Sequence, residues 1–333
     1  MNSLRPLLHQ GPPSTDRRRL LLGGLGLATT ALAGCGGGGG GNGGPSVPSP
    51  GGGGSPGAPT GRLVYRNSGV AAVFDLRSGS ELQFDPGTEP FVDPGLSVSR
   101  AGLISAAREG VANRSFEIAF FSLAGGLQSL YSVERELSFQ TSCAVFNARS
   151  TRIAFSVDEP LSPSNGARAA RTLVFDWPSG APVAQIDGLE APVWAGPADD
   201  LLLRDPQSGR VRLFSAALVD QGFVPGLVVS PLTGGWSASP DGRYVLTEDG
   251  NHVVVFDRSD GGTWVAAEDG TSSTHSPTLS PDGRHLAILA RDLLGPSPHV
   301  MPFERGLKVT VDSERHALPV GLADCAGRIG WAA

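Results

Sequence analysis

Ser239-Pro240-Asp241-Gly242-Arg243 and Ser280-Pro281-Asp282-Gly283-Arg284 are the same five residues written twice, forty-one positions apart. Each is a turn by its chemistry. Proline presets its φ, the aspartate side chain can accept from nearby backbone N–H groups, and glycine takes up a positive φ at little cost. The flanks read as strands. Trp236-Ser237-Ala238 and Pro277-Thr278-Leu279 lead in, while Tyr244-Val245-Leu246 and His285-Leu286-Ala287-Ile288-Leu289 lead out. Self-similarity at this period marks an array of small sheets, because one such sheet cannot bury both faces and its neighbours must cover them.

Weaker copies extend the array upstream, at Leu96-Ser97-Val98-Ser99, Val145-Phe146-Asn147 and Trp194-Ala195-Gly196-Pro197, with a last one at Gly327-Arg328-Ile329-Gly330-Trp331. Equating Gly102, Thr151, Asp200, Gly242, Gly283 and Gly327 gives intervals of 49, 49, 42, 41 and 44 residues. A second landmark falls between these turns: Val73-Phe74-Asp75, Val174-Phe175-Asp176 and Val255-Phe256-Asp257, each followed four residues after the aspartate by Gly79, Gly180 or Gly261. Phe120-Phe121-Ser122, Leu213-Phe214-Ser215 and Val309-Thr310-Val311 hold the corresponding places. Together these predict an all-β chain, a six-bladed β-propeller of four-stranded antiparallel blades over residues 61–333, with seven blades as the alternative. The first unit, opening at Arg62-Leu63-Val64-Tyr65, lacks an innermost strand, and residues 324–331 are spare. Pairing of the two chain ends would close the ring and remove its open edges.

On the Ser-Pro-Asp-Gly-Arg repeat, residues 61–333 resemble the bacterial periplasmic propellers that include the TolB propeller and the WD40-like (PD40) repeat proteins. The resemblance implies an envelope protein that binds partners through its ring. The Gly-His and Trp-Asp dipeptides of eukaryotic WD repeats are absent.

The first sixty residues read as an address. Arg17, Arg18 and Arg19 precede an apolar or small run from Leu20 to Ala33, too short for a comfortable membrane span, and Leu32-Ala33-Gly34-Cys35 follows. Residues 1–34 therefore resemble a lipoprotein signal peptide, and Cys35 matches the lipidated cysteine of a lipobox, a membrane attachment through lipid. The paired arginines suit a Sec or a twin-arginine export route. Gly36 in the next position implies, by resemblance to proteobacterial lipoproteins, the periplasmic face of the outer membrane. With Cys35, residues 36–60 form a linker of Gly, Pro and Ser, too polar to fold alone and reaching roughly 25–30 Å.

The formal charge is −6. Loss of Arg5, Asp16 and Arg17–Arg19 with the signal leaves 22 basic and 31 acidic residues, a net −9 that disfavours nucleic acid and anionic lipid as partners. Cys143 and Cys325 lie on nonadjacent predicted blades and read as two buried thiols, with a disulfide as the alternative.

Catalytic signatures are missing from the predicted propeller: outside the glycine-rich linker there is no Gly-x-Ser-x-Gly elbow, and there is no His-Glu-x-x-His and no phosphate-cradling glycine loop. Asp257-Arg258-Ser259-Asp260-Gly261-Gly262-Thr263-Trp264 partly matches a sialidase-type Asp box, a motif that is usually structural. His252, His275, His285, His299 and His316 are scattered, so neither a metal nor a cofactor is expected. The tryptophans read as inter-blade packing, except that Trp177, on a hairpin beside Pro178, is a candidate surface aromatic. The long interruption from Arg291 to Gly306 reads as a loop, and within it Leu293, Leu294, His299, Met301 and Phe303 are the candidate contact surface. The sequence favours a noncatalytic, lipid-anchored module binding a protein or cell-surface polymer. The alternative is an envelope hydrolase, lactonase or glycan-active, with its site at the central channel.

Overall fold

Both copies of the repeated phrase fold as the same hydrogen-bonded turn in a computed structural model. Gly242 N–H donates to the Ser239 carbonyl at 2.9 Å, Ser239 N–H to the Tyr244 carbonyl at 2.8 Å, and Tyr244 N–H to Ser239 Oγ at 2.8 Å. Ser280, Gly283 and His285 repeat these bonds at 2.8–2.9 Å. The glycines sit at φ +77° and +71°, the left-handed region the turn requires. The worn copies keep the geometry with other residues: Gly102, Ser150 and Asp199 occupy the positive-φ position, their N–H groups bonded to the Ser99, Asn147 and Gly196 carbonyls. Two sequence equivalences thus move by one residue, from Thr151 to Ser150 and from Asp200 to Asp199. Gly327 is not a turn residue at all, since it lies inside the last strand.

The structure describes residues 57–67, 69–87, 96–109, 115–134, 144–160, 168–230, 235–269, 274–292, 295–320 and 325–333. The signal-like segment, Cys35, most of the linker, Cys143, Leu293 and Leu294 lie outside them. The strands β1 (Arg62–Asn67), β2 (Val70–Asp75) and β3 (Ser80–Phe84) begin the first blade. The second is β4 (Leu96–Val98), β5 (Leu103–Glu109), β6 (Ser115–Ser122) and β7 (Leu127–Glu134); the third is β8 (Val145–Phe146), β9 (Arg152–Pro160), β10 (Arg168–Asp176) and β11 (Pro182–Asp187). The fourth comprises β12 (Glu190–Ala195), β13 (Asp200–Arg204), β14 (Arg210–Phe214) and β15 (Asp220–Val228), and the fifth β16 (Trp236–Ala238), β17 (Tyr244–Asp249), β18 (His252–Asp257) and β19 (Thr263–Glu268). The sixth holds β20 (Thr274–Leu279), β21 (His285–Asp292) and β22 (Gly295–Pro302), followed by β23 (Val309–Thr310), a helical turn α1 (Ser313–His316) and β24 (Cys325–Ala332). The protein is an all-β, six-bladed propeller. β24 returns to the first blade and pairs antiparallel with β1, Trp331 opposite Leu63 and Gly330 opposite Val64, so both chain ends close the ring.

Alternation along the strands explains the ring. Leu63 and Tyr65 face the sixth blade with Ala287 and Leu289, whereas Val64 faces the second with Leu96 and Ile104. Such strands are apolar on both faces because both are covered. Among the described residues, six buried clusters sit one at each inter-blade interface.

The sixth blade departs from the pattern for a reason visible in its prolines. The segment expected as a loop is β22, paired with β21 from Pro296 opposite Arg291 to Pro302 opposite His285. Phe303 N–H donates inward to the Arg284 carbonyl, and the Pro298 carbonyl accepts outward from Leu318 N–H. Even-numbered backbone groups therefore point away from β21. Pro296, Pro298 and Pro302 fill three of those four positions and have no N–H to offer a further strand. The chain instead adds β23 to the fifth blade, parallel to β19, with Val309 opposite Ala267. Val309-Thr310-Val311 is accordingly not the sixth landmark. Phe303 holds that place, matching Leu76, Trp177 and Arg258, each of whose N–H groups donates back to the neighbouring turn segment.

Candidate functional site

The innermost strands β24, β4, β8, β12, β16 and β20 enclose a central channel of about 160 Å³. Its wall mixes apolar residues, among them Leu96, Val98, Val145, Val193 and Trp194, with the hydroxyls of Ser97, Ser237, Ser276 and Thr278, and its open surface is slightly more polar than apolar. Among the described lining residues Arg328 is the one charged group, and no carboxylate or imidazole is present. A general acid–base pair is thus not formed at this wall, and the described residues contain no cluster of metal-ligating type.

Contacts between the turns link the blades around one mouth of the channel. Arg100, in the β4–β5 turn of the second blade, donates to the Pro240 carbonyl in the diametrically opposite fifth blade. The fourth and fifth blades meet at Gly196 and Gly242, so close that a Cβ on Gly242 would lie 2.8 Å from the Gly196 backbone. Asp199 accepts from Ala148 N–H at 3.1 Å and pairs with Arg149 at 3.4 Å, joining the third blade to the fourth. Arg258 reaches back from the fifth blade to Asp200 at 3.1 Å.

The hairpin aspartates brace their own turns, Asp75 and Asp257 on this face and Asp205 on the opposite one. Asp75 accepts from the Arg77 and Ser78 N–H groups, and Asp205 from those of Gln207 and Ser208. Asp257 is fully buried and most heavily engaged: Arg243 contacts both its oxygens, Ser259 donates through N–H and Oγ, and Arg305 stands 3.3 Å away. The Arg243 guanidinium first, and then Ser259, hold its carboxyl far below the usual carboxylate range. The Asp-box-like stretch is therefore a structural hairpin, and its Trp264 packs edge-on against Tyr244 at 5.5 Å.

The remaining sequence candidates go to the core. His299 and Met301 are buried on β22, and Phe303 is buried in the cluster between blades five and six. His299 Nδ1 donates to the Ser297 carbonyl at 2.9 Å, and its Nε2 is buried with no hydrogen-bond partner among the described residues. The interruption read as a loop is instead a strand whose prolines lie on its outer edge, where they are tolerated. Trp177 is partly buried: its ring lies 4.3 Å from Phe120 and also contacts Tyr131 and Phe146. The sequence reading missed Arg100, whose partner is 140 residues away, and Arg328, which was read only as part of a worn turn.

No protein-family model and no curated protein matches the chain. Among solved structures, a protein of unknown function from Bacteroides caccae is similar with a TM-score of 0.50 and 12% identity, over 81% of this chain and 98% of its own. TolB from Acinetobacter baumannii gives a TM-score of 0.46 at 11% identity over 72% of this chain, which spans 66% of the TolB chain. The mitotic checkpoint complex contains a chain matching at 0.45 and 13% identity, over 65% of this chain and 63% of that one. At 12% identity, the likeness to the Bacteroides caccae protein is a likeness of fold.

Proposed function

We propose that the chain is a lipid-anchored propeller of the cell envelope, attached through Cys35, that binds another protein or a cell-surface polymer through one face of its ring. The observation that carries the binding reading is the channel wall, which presents one guanidinium, hydroxyls and apolar groups where a propeller hydrolase would gather acids and bases. The attachment reading rests on Arg17–Arg19, the apolar run to Ala33 and Leu32-Ala33-Gly34-Cys35. A ring whose turns are tied to one another presents loops at fixed spacing, and residues 36–60 supply reach from the bilayer.

Crosslinking in intact cells, followed by mass spectrometry, tests the binding reading. One protein or glycan recovered reproducibly supports it, whereas recovery of lipid and abundant porins alone refutes it. Cys35→Ser is expected to abolish labelling by radioactive palmitate and shift the chain from the membrane to the soluble fraction. An unchanged distribution refutes the anchor.

A further inference from the structure

We propose that the central channel binds a small organic monocarboxylate, held by the guanidinium of Arg328. Six arginines at shielded positions elsewhere on this ring are each matched by an acid: Arg152 with Asp176, Arg171 with Asp187, Arg204 with Glu190, Arg212 with Asp220, Arg243 with Asp257 and Arg258 with Asp200. Arg328 is half-buried in the channel wall and has no hydrogen-bond or ion-pair partner among the described residues. Arg66, the other shielded arginine without one among the described residues, lies one strand further out on β1.

The local backbone singles out the same position. The β24–β1 pairing shifts register between Val64, opposite Gly330, and Arg66, opposite Ala326, which places extra residues of β24 opposite Tyr65. Arg328 lies in that irregular stretch. Bulges of this kind re-aim a side chain and are common beside functional sites.

Volume, polarity and charge then define the ligand. A space of about 160 Å³ is comparable to an engineered cavity that admits benzene, so it accommodates a molecule of about six to eight non-hydrogen atoms. A carboxylate presents two oxygens to the guanidinium fork and carries the single charge that one arginine balances. The Ser97 and Thr278 hydroxyls add donors, and the half-buried Val98 and Val145 offer apolar surface to a short hydrocarbon body. A phosphate would leave the apolar wall unused and bring more charge than Arg328 offsets.

Trp194, Trp236 and Trp331 line the same space, so occupancy can be read by intrinsic fluorescence. The purified full-length chain would be titrated with 3-methylbutyrate, its neutral amide 3-methylbutyramide, and inorganic phosphate. The expected result is a saturable change with the carboxylate, at least tenfold tighter than with the amide or phosphate. Arg328→Met weakens carboxylate binding at least tenfold, Arg328→Lys has an intermediate effect, and Arg77→Met, on an exposed turn, has none. No saturable response to the carboxylate, equal binding of the amide, tighter binding of phosphate, or unchanged affinity in Arg328→Met would each overturn the proposal. If Arg328→Met does not fold, the carboxylate–amide comparison on the native chain and Arg328→Lys decide it. These readouts are independent of any macromolecular partner.

Discussion

Trp331→Ala tests the closure of the ring. Trp331 is 6% exposed and packs with Leu63 and Tyr65 of β1 and with Ala287 and Leu289 of the sixth blade, while its Nε1 donates to the Thr60 carbonyl at 2.9 Å. One side chain thereby joins the last strand to the first and both to the adjacent blade. A buried tryptophan removes about 200 Å² from water. At about 25 cal/mol per Å² that is about 5 kcal/mol, of which alanine keeps a small part. The lost hydrogen bond adds about 1 kcal/mol, reduced because Thr60 is exposed and water can replace the indole. Partial collapse of the space offsets some of the remainder, leaving about 4 kcal/mol, in the range for large aromatic truncations. For a domain this size that corresponds to a fall of about 8–16 °C in Tm.

The assay is thermal and urea unfolding followed by far-ultraviolet circular dichroism, with Trp264→Ala as the comparison. Trp264 is partly buried on β19 and packs on Tyr244 and Phe303 without touching the closing strand, so it is expected to cost about 2 kcal/mol. A Trp331→Ala midpoint within about 3 °C of the parent would refute the reasoning, since the closing contact would then contribute about 1 kcal/mol or less. So would two transitions of which the upper is unmoved, because β24 would then not couple its blade to the rest.

Three further perturbations probe the turns and the aromatic cluster. Gly242→Ala adds a Cβ at φ +77° and 2.8 Å from the Gly196 backbone and should cost about 3 kcal/mol, while Gly250→Ala, at φ +63° with nothing within 4 Å, should cost about 1 kcal/mol. Equal losses in urea unfolding would deny the contact between blades four and five. Asp257→Asn should lower Tm at pH 7. Because the folded-state pKa of Asp257 lies below the ordinary 3.8, its stabilisation is complete above that value and is lost as pH falls below it, so the gap between variant and parent should narrow toward pH 2. A gap constant from pH 7 to pH 2 would contradict the ionised Arg243–Asp257 pairing. Trp177→Ala should cost about 3 kcal/mol as a member of a four-ring cluster with Phe120, Tyr131 and Phe146. A surface aromatic would cost under about 0.5 kcal/mol.

The fold was legible because its signals are local. Ser239 to Arg243 carries its own turn chemistry, Asp75, Asp176 and Asp257 each precede a hairpin glycine, and the period between copies requires nothing beyond counting. Where the reading slipped, a local signal had a second meaning. Thr151 and Asp200 follow the true left-handed residues Ser150 and Asp199 because serine and aspartate tolerate positive φ less visibly than glycine does. β22 was hidden because Pro296, Pro298 and Pro302 interrupt the repeat pattern that marks the other strands. Taken at every second residue, they describe a blocked outer edge.

The channel was illegible for a different reason. A propeller brings six strands to one axis from positions spread between Leu96 and Trp331, so the surroundings of any one lining residue come mainly from other blades. Arg100 and Arg328 look alike in the sequence, each an arginine near a glycine. In the ring, Arg100 spends its guanidinium on the Pro240 carbonyl across a mouth, whereas Arg328 is delivered to the wall by the strand that closes the circle. That delivery links the two halves of the molecule's behaviour. Trp331→Ala should weaken carboxylate binding as well as stability, because Trp331 both lines the channel and anchors the strand that aims Arg328. A change of similar size at Trp177, in the cluster between blades two and three, should lower stability and leave binding intact. Parallel loss of binding in both variants would mean that the channel follows global stability alone, with no separate dependence on the closing strand.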